Sequence, residues 1–309
     1  MKIAVESTIK FRKHHLDRLG KIGNVEVYEF GCKKSKFFEI VKDAGVIIGN
    51  KWFFNELLPK LKAKLIALCS TGCDLVDLDK CKELGIAVTN VPAYSTNSVA
   101  EATIALLLEL TKKMKYQRES YDKGKWAYDL DPFTELADKT FGIIGFGNIG
   151  KKVAQIASAM DMKILVYTRT SKKEEFPDYE FVSKEKLLKN SDFVSVHVPL
   201  DKSTRHLIGK EEFDMMKSSA YIINAARGAI IDEDAIINSL KNGKIAGAGL
   251  DVFSKEPLPL DSDLAKLKNV VITPHTAFYT AEALERLYSR CIGNVDDFLS
   301  GKKSNVVNG

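Results

Sequence analysis

The stretch TFGIIGFGNIGKKVAQIA, residues 140–157, decides the fold. An apolar run leads into Gly145, Gly147 and Gly150, and a pattern typical of an amphipathic helix follows. In such a unit the first glycine permits the tight turn, the second lets a pyrophosphate approach the backbone, and the third lets helix and strand pack closely. The spacing therefore predicts a dinucleotide site at a helix N-terminus, where free N–H groups and the helix dipole favour anions. A purely structural glycine turn is the alternative.

Apolar runs typical of strands alternate with helical patterns along the 309 residues, which predicts an α/β fold with parallel sheets. A chain of this length is expected to form about two domains. Because the glycine-rich turn lies near the middle, residues 1–97 are predicted to form a substrate-binding domain and residues 98–280 an NAD(P)-binding domain. Residues 281–309 are expected to return to the first domain. The predicted architecture is two Rossmann-like, doubly wound domains, with the nucleotide-binding domain inserted into a discontinuous substrate domain.

Residues 98–116 are predicted to form one long helix that opens the second domain. Ser98 and Glu101 have the spacing of a capping box at its start. The IALLLEL segment within this helix is apolar on more faces than one neighbouring sheet covers. A homodimer joined around this helix is therefore predicted, and burial by the first domain alone is the alternative.

Composition disfavours several classes of protein. The net charge is only +5, and the 46 lysines and arginines are scattered rather than grouped, so nucleic-acid binding is not expected. No apolar run approaches the ~20 residues that span a bilayer, and the N-terminus lacks a signal-peptide pattern, so a cytoplasmic location is predicted. Cys69, Cys73 and Cys81 have no neighbouring histidine and do not match a zinc site. Free thiols and no metal are predicted.

The strand pattern KILVYT ends at the position that usually carries an acidic residue for the adenine ribose hydroxyls. Here Thr168, Arg169 and Thr170 occupy it, and no carboxylate occurs before Glu174. An arginine with hydroxyls nearby binds a ribose 2′-phosphate through charge-assisted hydrogen bonds. The sequence therefore favours NADP(H), and NAD(H) remains possible because the segment can also be a solvated basic loop.

Three later segments place polar groups just after apolar strands, where open parallel sheets bind ligands. Arg227 can hold a carboxylate bidentately and polarise an adjacent carbonyl. His275 can deliver a proton to a developing alkoxide, and Glu256 can orient its ring and favour the imidazolium. Asp251 ends a further strand. Each residue alone is more commonly structural, but together with a bound nicotinamide they indicate reversible reduction of a 2-keto acid.

The motifs GFGNIG, NAARGAIIDEDAI, GLDVFSKEPLP and TPHTA occur in this order, and the chain resembles the D-isomer-specific 2-hydroxyacid dehydrogenase family along nearly its whole length. The resemblance implies that Arg227 binds the substrate carboxylate and keto oxygen. It also implies that His275 is the acid/base paired with Glu256, and that Asp251 lies near the nicotinamide carboxamide. Formate dehydrogenases are less similar, since they carry glutamine in place of Glu256. Further implied cofactor contacts are Asn148, Ile149, Val198, Pro199, Ala225 and Ala226.

The first domain also resembles the family. CSTGCDLVDLD resembles the segment whose backbone amides cradle the substrate carboxylate, here around Thr71 and Gly72. Successive N–H groups beside a glycine are also a plausible anion site on physical grounds. NVPAYSTNSVAE resembles the hinge that enters the long helix, which implies that Asn97 lies near the nicotinamide.

Within the family the chain looks most like the glycerate dehydrogenase (hydroxypyruvate reductase) branch. In that branch a loop Asn-Lys pair, here Asn50-Lys51, faces the substrate. Trp52, Phe53 and Phe54 depart from the smaller residues of the branch. They are either core residues or side chains that close the substrate pocket, so the identity of the 2-keto acid stays open.

Three functions remain compatible with the sequence. The first is a dehydrogenase of hydroxypyruvate, glyoxylate or a similar small 2-keto acid. The second is a nucleotide-sensing, corepressor-like binding protein on the same fold, and the third is a dehydrogenase of a phosphite- or formate-type substrate. His14 and His15 are expected on a solvated helix face, and His197 is expected to be structural or to line the cofactor.

Overall fold

The computed structural model describes residues 1–29, 33–50, 55–170 and 174–309. The chain divides into two compact units. Unit 1 comprises Met1–Ser95 and Thr280–Gly309, and unit 2 comprises Thr96–Tyr279. The predicted boundaries after residues 97 and 280 lie close to these limits. The assignment of substrate and cofactor to the two units stays a prediction.

Unit 1 is built on a five-stranded sheet with strand order β2-β1-β3-β4-β5. Every neighbouring pair in it is parallel. The chain starts in the middle of the sheet and winds outwards in both directions, which is the doubly wound arrangement. Its strands are β1 (Lys2–Glu6), β2 (Asn24–Tyr28), β3 (Val46–Gly49), β4 (Leu65–Leu68) and β5 (Ala87–Thr89).

Unit 2 is built on a seven-stranded parallel sheet with strand order β12-β11-β10-β9-β6-β7-β8. Strand order reverses at β6, so a crevice is expected at the carboxyl ends of β6 and β9. The predicted α/β class with two parallel sheets is confirmed. The strands are β6 (Thr140–Ile144), β7 (Lys163–Tyr167), β8 (Glu180–Phe181), β9 (Phe193–Val196), β10 (Tyr221–Asn224), β11 (Gly247–Leu250) and β12 (Val270–Ile272).

Helices connect the strands in both units. Short 3-10 helices cover Asn55–Lys60, Ala127–Asp129 and Gly228–Ile230. None of the helices in the described part of the chain is both long and apolar enough to cross a membrane. The α-helices are α1 (Lys13–Ile22), α2 (Lys34–Val41), α3 (Leu78–Glu83), α4 (Thr96–Lys112), α5 (Met114–Asp122), α6 (Asn148–Ser158), α7 (Lys184–Asn190), α8 (Lys210–Met215), α9 (Glu233–Lys241), α10 (Asp263–Lys266) and α11 (Ala281–Leu299).

The sheet of unit 2 is covered on both faces. Successive residues of a strand point to opposite faces, and along β6 and β10 they alternate between two separate apolar clusters. Ile144 and Ile222 pack into one cluster with α7, α8 and α9. Ile143 and Ile223 pack into the other with α4 and α6. Burial on both faces explains why these strands read as continuous apolar runs.

The predicted helix over residues 98–116 is two helices. Lys113 has φ +49°, a left-handed conformation that ends α4 at Lys112 before α5 begins at Met114. The predicted capping box is also wrong, because α4 already begins at Thr96. The Ser98 hydroxyl donates instead to the carbonyl of Ala277. Ser98, which the sequence pattern indicates as a helix cap, thus makes a tertiary hydrogen bond instead.

Helix α11 packs within unit 1 against α1 and β4, as the sequence predicted for the last helical segment. Its buried face includes Leu287, Tyr288 and Ile292. The chain then pairs with β5, because Val307 donates its amide to the Val88 carbonyl. The C-terminal segment therefore completes the edge of the first sheet.

Candidate functional site

The glycine-rich turn has the geometry that its spacing predicts. Gly145 has φ +95°, and a Cβ added there would lie 2.5 Å from the carbonyl oxygen of His197. At Gly150 an added Cβ would lie 2.1 Å from the Gly145 carbonyl oxygen, so only glycine allows helix α6 to start this close to β6. Beside Gly147, by contrast, an added Cβ meets no atom within 4 Å. The turn thus leaves open space at the N-terminus of α6.

That open space suits a pyrophosphate. Gly147 is the N-cap of α6, and no side chain caps this helix. Asn148 is exposed and Ile149 half-buried in its first turn. Free N–H groups at a helix N-terminus bind phosphate oxygens. Val198 borders the turn, since its Cγ1 would lie 2.7 Å from a Cβ on Gly145, and Pro199 follows it on the exposed side. The residues present therefore fit a dinucleotide.

Arg227 lies in a turn that follows β10 and that Asn224 organises. Asn224 is 1% exposed, its Oδ1 accepts from the Ala226 amide at 3.0 Å, and its Nδ2 donates to the Arg227 carbonyl at 2.9 Å. Ala225 and Ala226 are half-buried beside it. A buried amide with both ends bonded fixes the path of this turn. Asn224 was not predicted from the sequence, although a polar residue at a strand end just before Arg227 could have indicated a role in holding this turn.

Asp251 lies at the end of β11 and holds the next loop. Its Oδ1 accepts from the Thr273 hydroxyl at 2.6 Å and the Thr276 amide at 2.8 Å, and its Oδ2 accepts from the Ala277 amide at 3.0 Å. The side chain is 1% exposed. These bonds tie β11 to the loop that follows β12 and carries His275. The structure thus gives Asp251 a scaffolding role in addition to the predicted place near the nicotinamide.

His275 and Glu256 form a hydrogen-bonded pair. His275 Nδ1 lies 2.7 Å from Glu256 Oε2, and the other carboxylate oxygen accepts from the Phe253 amide at 3.1 Å. Among the described residues, Nε2 of His275 has no hydrogen-bond partner, and the side chain is 36% exposed. A ring held at Nδ1 and open at Nε2 is placed to exchange a proton with a bound molecule.

These groups share one edge of the sheet. Arg227, Asp251 and His275 follow β10, β11 and β12, which are neighbouring parallel strands. The carboxyl ends of such strands point the same way, so the structure brings a guanidinium and a carboxylate–imidazole pair to the same edge. A guanidinium beside a proton donor can bind an anionic carbonyl compound and protonate it as charge develops.

The segment after β7 is far more exposed. The Arg169 guanidinium contacts the Ser203 hydroxyl at 3.4 Å and lies 4.0 Å from the Asp201 carboxylate. Its side chain is 70% exposed. The hydroxyl and amide of Ser203 lower the pKa of Asp201. Ser203 and Asp201, which follow β9, were missed by the sequence analysis because only the fold brings them to Arg169.

In unit 1 the predicted anion loop follows β4. The Thr71 hydroxyl donates to the Val91 carbonyl at 2.8 Å, and the Ser70 hydroxyl donates to the Gly72 carbonyl at 2.7 Å. The amides of Thr71 and Gly72 donate to no partner within the described part of the chain. An ordered loop with two free N–H groups can accept an anion.

Two more predicted substrate residues follow different elements. Asn50 directly follows β3, and its amide donates to the buried Glu6 carboxylate at 3.0 Å. Asn97 is exposed in the first turn of α4, next to Ser98. Lys51, Trp52, Phe53 and Phe54 lie outside the described residues, so the prediction for Lys51 stays a prediction.

The expectation that His14 and His15 share a solvated face is wrong for His15, which is 2% exposed. Both Nε2 atoms lie within 3.2 Å of Glu285 Oε1 on α11. Burial lowers the pKa of His15. Because the Arg12 amide donates to Nδ1 of His15, the proton of the neutral ring lies on Nε2. A metal needs that nitrogen free, so this cluster is better suited to hydrogen bonds than to a metal.

His197 follows β9 beside the glycine turn. Its Nε2 lies 2.9 Å from the Ser195 hydroxyl. Burial lowers its pKa from 6.5 to about 4, so the ring is neutral at pH 7. The free cysteines Cys69, Cys81 and Cys291 are buried, whereas Cys73 is half-buried. Burial raises the pKa of Cys81 to about 11, which keeps that thiol protonated.

Comparison with known proteins follows the same lines. Residues 104–277 match the family model described as D-isomer specific 2-hydroxyacid dehydrogenase, NAD binding domain. A glyoxylate reductase of Thermofilum pendens is 40% identical over 77% of this chain and 73% of the relative. A glycerate dehydrogenase of Methylorubrum extorquens is 39% identical over 81% of this chain and 80% of the relative.

Two solved structures are similar over nearly the whole chain. A D-lactate dehydrogenase from Aquifex aeolicus, complexed with NAD and lactic acid, has a TM-score of 0.87 at 33% identity and 99% coverage of both chains. An acyclic imino acid reductase in complex with NADPH and D-Arg has a TM-score of 0.91 at 30% identity. That match covers 99% of this chain and 100% of the other.

Proposed function

Since the chain belongs to the D-isomer-specific 2-hydroxyacid dehydrogenase family, we propose that it reduces hydroxypyruvate, glyoxylate or a similar small 2-keto acid to the D-2-hydroxy acid, with NADPH preferred. Family membership makes it an oxidoreductase with a nicotinamide cofactor. The observation that carries the proposal is the 2.7 Å bond between His275 Nδ1 and Glu256. It leaves Nε2 open for the proposed proton transfer, at the same edge of the sheet as Arg227.

Each residue of the site has a distinct task. The bound nicotinamide supplies the hydride. The Arg227 guanidinium binds the substrate carboxylate and polarises the keto oxygen. His275 Nε2 gives a proton to that oxygen as negative charge develops on it, and in the reverse direction it takes the proton back. Glu256 holds the ring in place through its 2.7 Å bond to Nδ1. Balanced over one turnover, the keto acid gains one hydride and one proton.

The first unit is proposed to bind the same substrate. Thr71 and Gly72 have amides without acceptors in the described chain, which supports their role as carboxylate donors. Asn50, Lys51 and Asn97 are proposed contacts on the strength of the family resemblance alone. The aromatic residues after Lys51 leave the size of the substrate side chain to experiment.

The preference for NADPH rests on Arg169. Its guanidinium is exposed at the end of β7 beside Thr168 and Thr170, where a ribose 2′-phosphate is expected. An arginine there gains a charge-assisted contact that NADH does not offer. NAD(H) remains a possible second cofactor.

A panel of 2-keto acids, assayed with NADPH and NADH, tests this function. We expect the highest kcat/KM with hydroxypyruvate or glyoxylate, and turnover of larger keto acids to fall as the side chain grows. Pyruvate, which lacks the hydroxyl group of hydroxypyruvate, is the matched control. If no 2-keto acid is turned over while phosphite or formate is oxidised, or if nucleotide binds without any turnover, the proposal is wrong.

We also propose a cytoplasmic homodimer joined around α4 and the start of α5. The apolar residues Leu106, Leu107 and Leu110 of α4 are already buried within the chain, so they do not require a partner. Support comes instead from Met114 and Tyr116, which are 60% and 41% exposed. Exposed apolar side chains in a group favour association.

Light scattering at micromolar concentration tests the dimer. A dimer that dissociates on double substitution of Met114 and Tyr116 by serine is expected. A wild-type monomer contradicts the proposal. Substitution of the exposed Leu260, on a different part of unit 2, is the matched control.

A further inference from the structure

The loop that carries His275 has an unusual backbone. His275 has φ +55°, a left-handed conformation that is strained for a residue with a side chain. Such conformations persist only where surrounding contacts impose them. The amide of His275 donates to the Asp251 carbonyl at 2.8 Å, which holds the residue from the side of β11. A second set of contacts lies two residues further on.

The Ala277 residue is held on both sides. Its amide donates to Asp251 Oδ2 at 3.0 Å, and its carbonyl accepts from the Ser98 hydroxyl at 2.6 Å. Ser98 and Ala277 are 4% and 6% exposed, so water does not replace either bond. Because Ser98 belongs to α4, the loop is bonded to a helix that lies far from β12 along the sequence.

We propose that Ser98 is a positioning residue for His275. The hydroxyl fixes the Ala277 carbonyl from the helix side while Asp251 fixes the amide from the strand side. Together they keep the His275 backbone in its left-handed conformation and its ring in line with Glu256. Without Ser98 the carbonyl would be buried without a partner, and the loop would shift to satisfy it. The inference rests on the proposed role of His275 as proton donor.

Other hydroxyls of α4 make matched controls. Thr103 and Thr111 are as buried as Ser98, but their hydroxyls donate to Val99 and Leu107 within the same helix. Removal of the Thr103 hydroxyl therefore costs a buried hydrogen bond without touching the His275 loop. A purely structural effect would appear equally in Ser98→Ala and Thr103→Ala.

The experiment compares kcat and KM of these two variants, together with their melting temperatures. A typical net hydrogen-bond contribution, applied to alignment of the proton donor, corresponds to a loss of about 3- to 10-fold in kcat for Ser98→Ala. KM for the nicotinamide cofactor should not change, because the hydrogen bond of the Ser98 hydroxyl goes to Ala277 and not to the glycine turn. Thr103→Ala should keep the wild-type kcat. Equal kcat in the two variants would overturn the proposal.

A double variant locates the effect. If Ser98 acts through His275, adding Ser98→Ala to His275→Ala lowers the residual kcat no further, because the positioned group is gone. An additive loss would mean that Ser98 acts elsewhere, and the inference would be wrong. Wild-type kcat in His275→Ala alone would refute the proposed proton donor, which is a different failure from an inactive Ser98 substitution.

Discussion

Two regions at the same edge of the second sheet differ in how firmly they are held. The loops to which we assign the chemistry, called the catalytic loops, are Asn224–Arg227, Asp251–Glu256 and Thr273–Ala277, after β10, β11 and β12. The loops to which we assign the adenine ribose, called the ribose loops, are Thr168–Thr170 and Asp201–Thr204, after β7 and β9. Hydrogen bonds of buried polar side chains hold the catalytic loops in place. In the ribose loops, by contrast, the arginine is exposed and its hydrogen bond to Ser203 lies at the surface.

The difference matches the work that we propose for each region. Proton transfer depends on alignment within fractions of an ångström, and a misplacement of 1 Å can cost about 10²-fold. Asp251 and Ser98 bridge separate segments, Asn224 fixes the turn that follows it, and each of the three is at most 4% exposed. Recognition of a phosphate needs mainly positive charge, which a 70% exposed guanidinium supplies. The 4.0 Å contact between Arg169 and Asp201 is an exposed ion pair of little energy.

The proposed chemistry and the proposed cofactor preference should therefore be separable in this molecule. A change at Arg169 removes no buried contact, so the fold should tolerate it. A change in the catalytic loops removes either a reacting group or a buried anchor. Substitutions in the two regions should therefore produce effects of different kind and size.

The largest effect is expected from His275→Ala. Loss of a general acid slows proton transfer by about 10²–10⁴-fold, so kcat should fall by that amount while the Kd of NADPH stays unchanged. Steady-state kinetics and fluorescence titration of NADPH measure the two quantities.

His206→Ala is the matched control for this variant. His206 also has a left-handed backbone, φ +52°, and also faces a carboxylate, that of Asp232 at 3.5 Å. It is not in the catalytic loops, so its variant should keep wild-type kcat. Retention of wild-type kcat by His275→Ala would contradict the assignment of proton transfer to the catalytic loops.

A smaller effect is expected in the ribose loops. Arg169→Ala should lower kcat/KM for NADPH by about 10- to 100-fold, the worth of a hydrogen bond to a charged group, and leave NADH kinetics nearly unchanged. Thr168→Asp should invert the preference, because a carboxylate repels the 2′-phosphate and accepts from ribose hydroxyls. Ratios of kcat/KM for the two cofactors measure both effects.

Arg205→Ala controls for general loss of positive charge, since Arg205 is an exposed arginine near Ser203 to which we assign no role in the site. It should leave the NADPH/NADH ratio unchanged. A wild-type enzyme that clearly prefers NADH would refute the role of Arg169, and equal loss in both arginine variants would reduce it to long-range attraction.

The smallest effect concerns His197, after β9, which lies between β10 and β6 in the sheet. Its folded-state pKa of about 4 lies below the ordinary 6.5, so the unfolded chain binds more protons between these values. Stability is therefore lost as pH falls from about 6.5 to 4. Full burial would correspond to about 3 kcal/mol, and because the residue is half-buried we expect about 1–2 kcal/mol.

Urea unfolding at pH 7 and pH 4 measures this contribution of His197 to the free energy of unfolding. The loss of unfolding free energy between the two pH values should be smaller by that amount in His197→Asn than in the wild type. His206→Asn, with an exposed ring, should show the wild-type difference. A pH dependence that is the same in wild type and His197→Asn would show that burial around the glycine turn is weaker than the structure indicates.

Strands with a continuous apolar run were predictable from sequence, including β12 at the edge of the second sheet. The runs around β6, β9 and β10 are apolar throughout because both faces of the sheet are covered. β2, β5 and β8 lack such a run, and all three lie at a sheet edge. In β2 the polar residues Asn24 and Glu26 interrupt the apolar ones, β5 has only three residues and β8 only two. None of these strands therefore has a continuous apolar run.

The same division holds for the site. Arg227, Glu256 and His275 could be named in advance because chemistry requires those side chains, and strand ends place them at the ligand edge. Arg169 could be named because its effect depends on its own charge at one position. His15 could not, because its burial depends on Glu285 of α11, and no local pattern contains a residue so far along the chain.

By itself, the sequence determined the α/β class, the glycine turn and the candidate reacting groups, since each depends on local spacing or on the identity of one side chain. Tertiary structure alone decided how those groups are held. Ser98 has the local signature of a helix cap, yet its hydroxyl binds Ala277, and Ser203 meets Arg169 only through the order of β7, β6 and β9. A hydrogen bond between distant segments exists only after the sheet has brought them together, so spacing along the chain does not encode it.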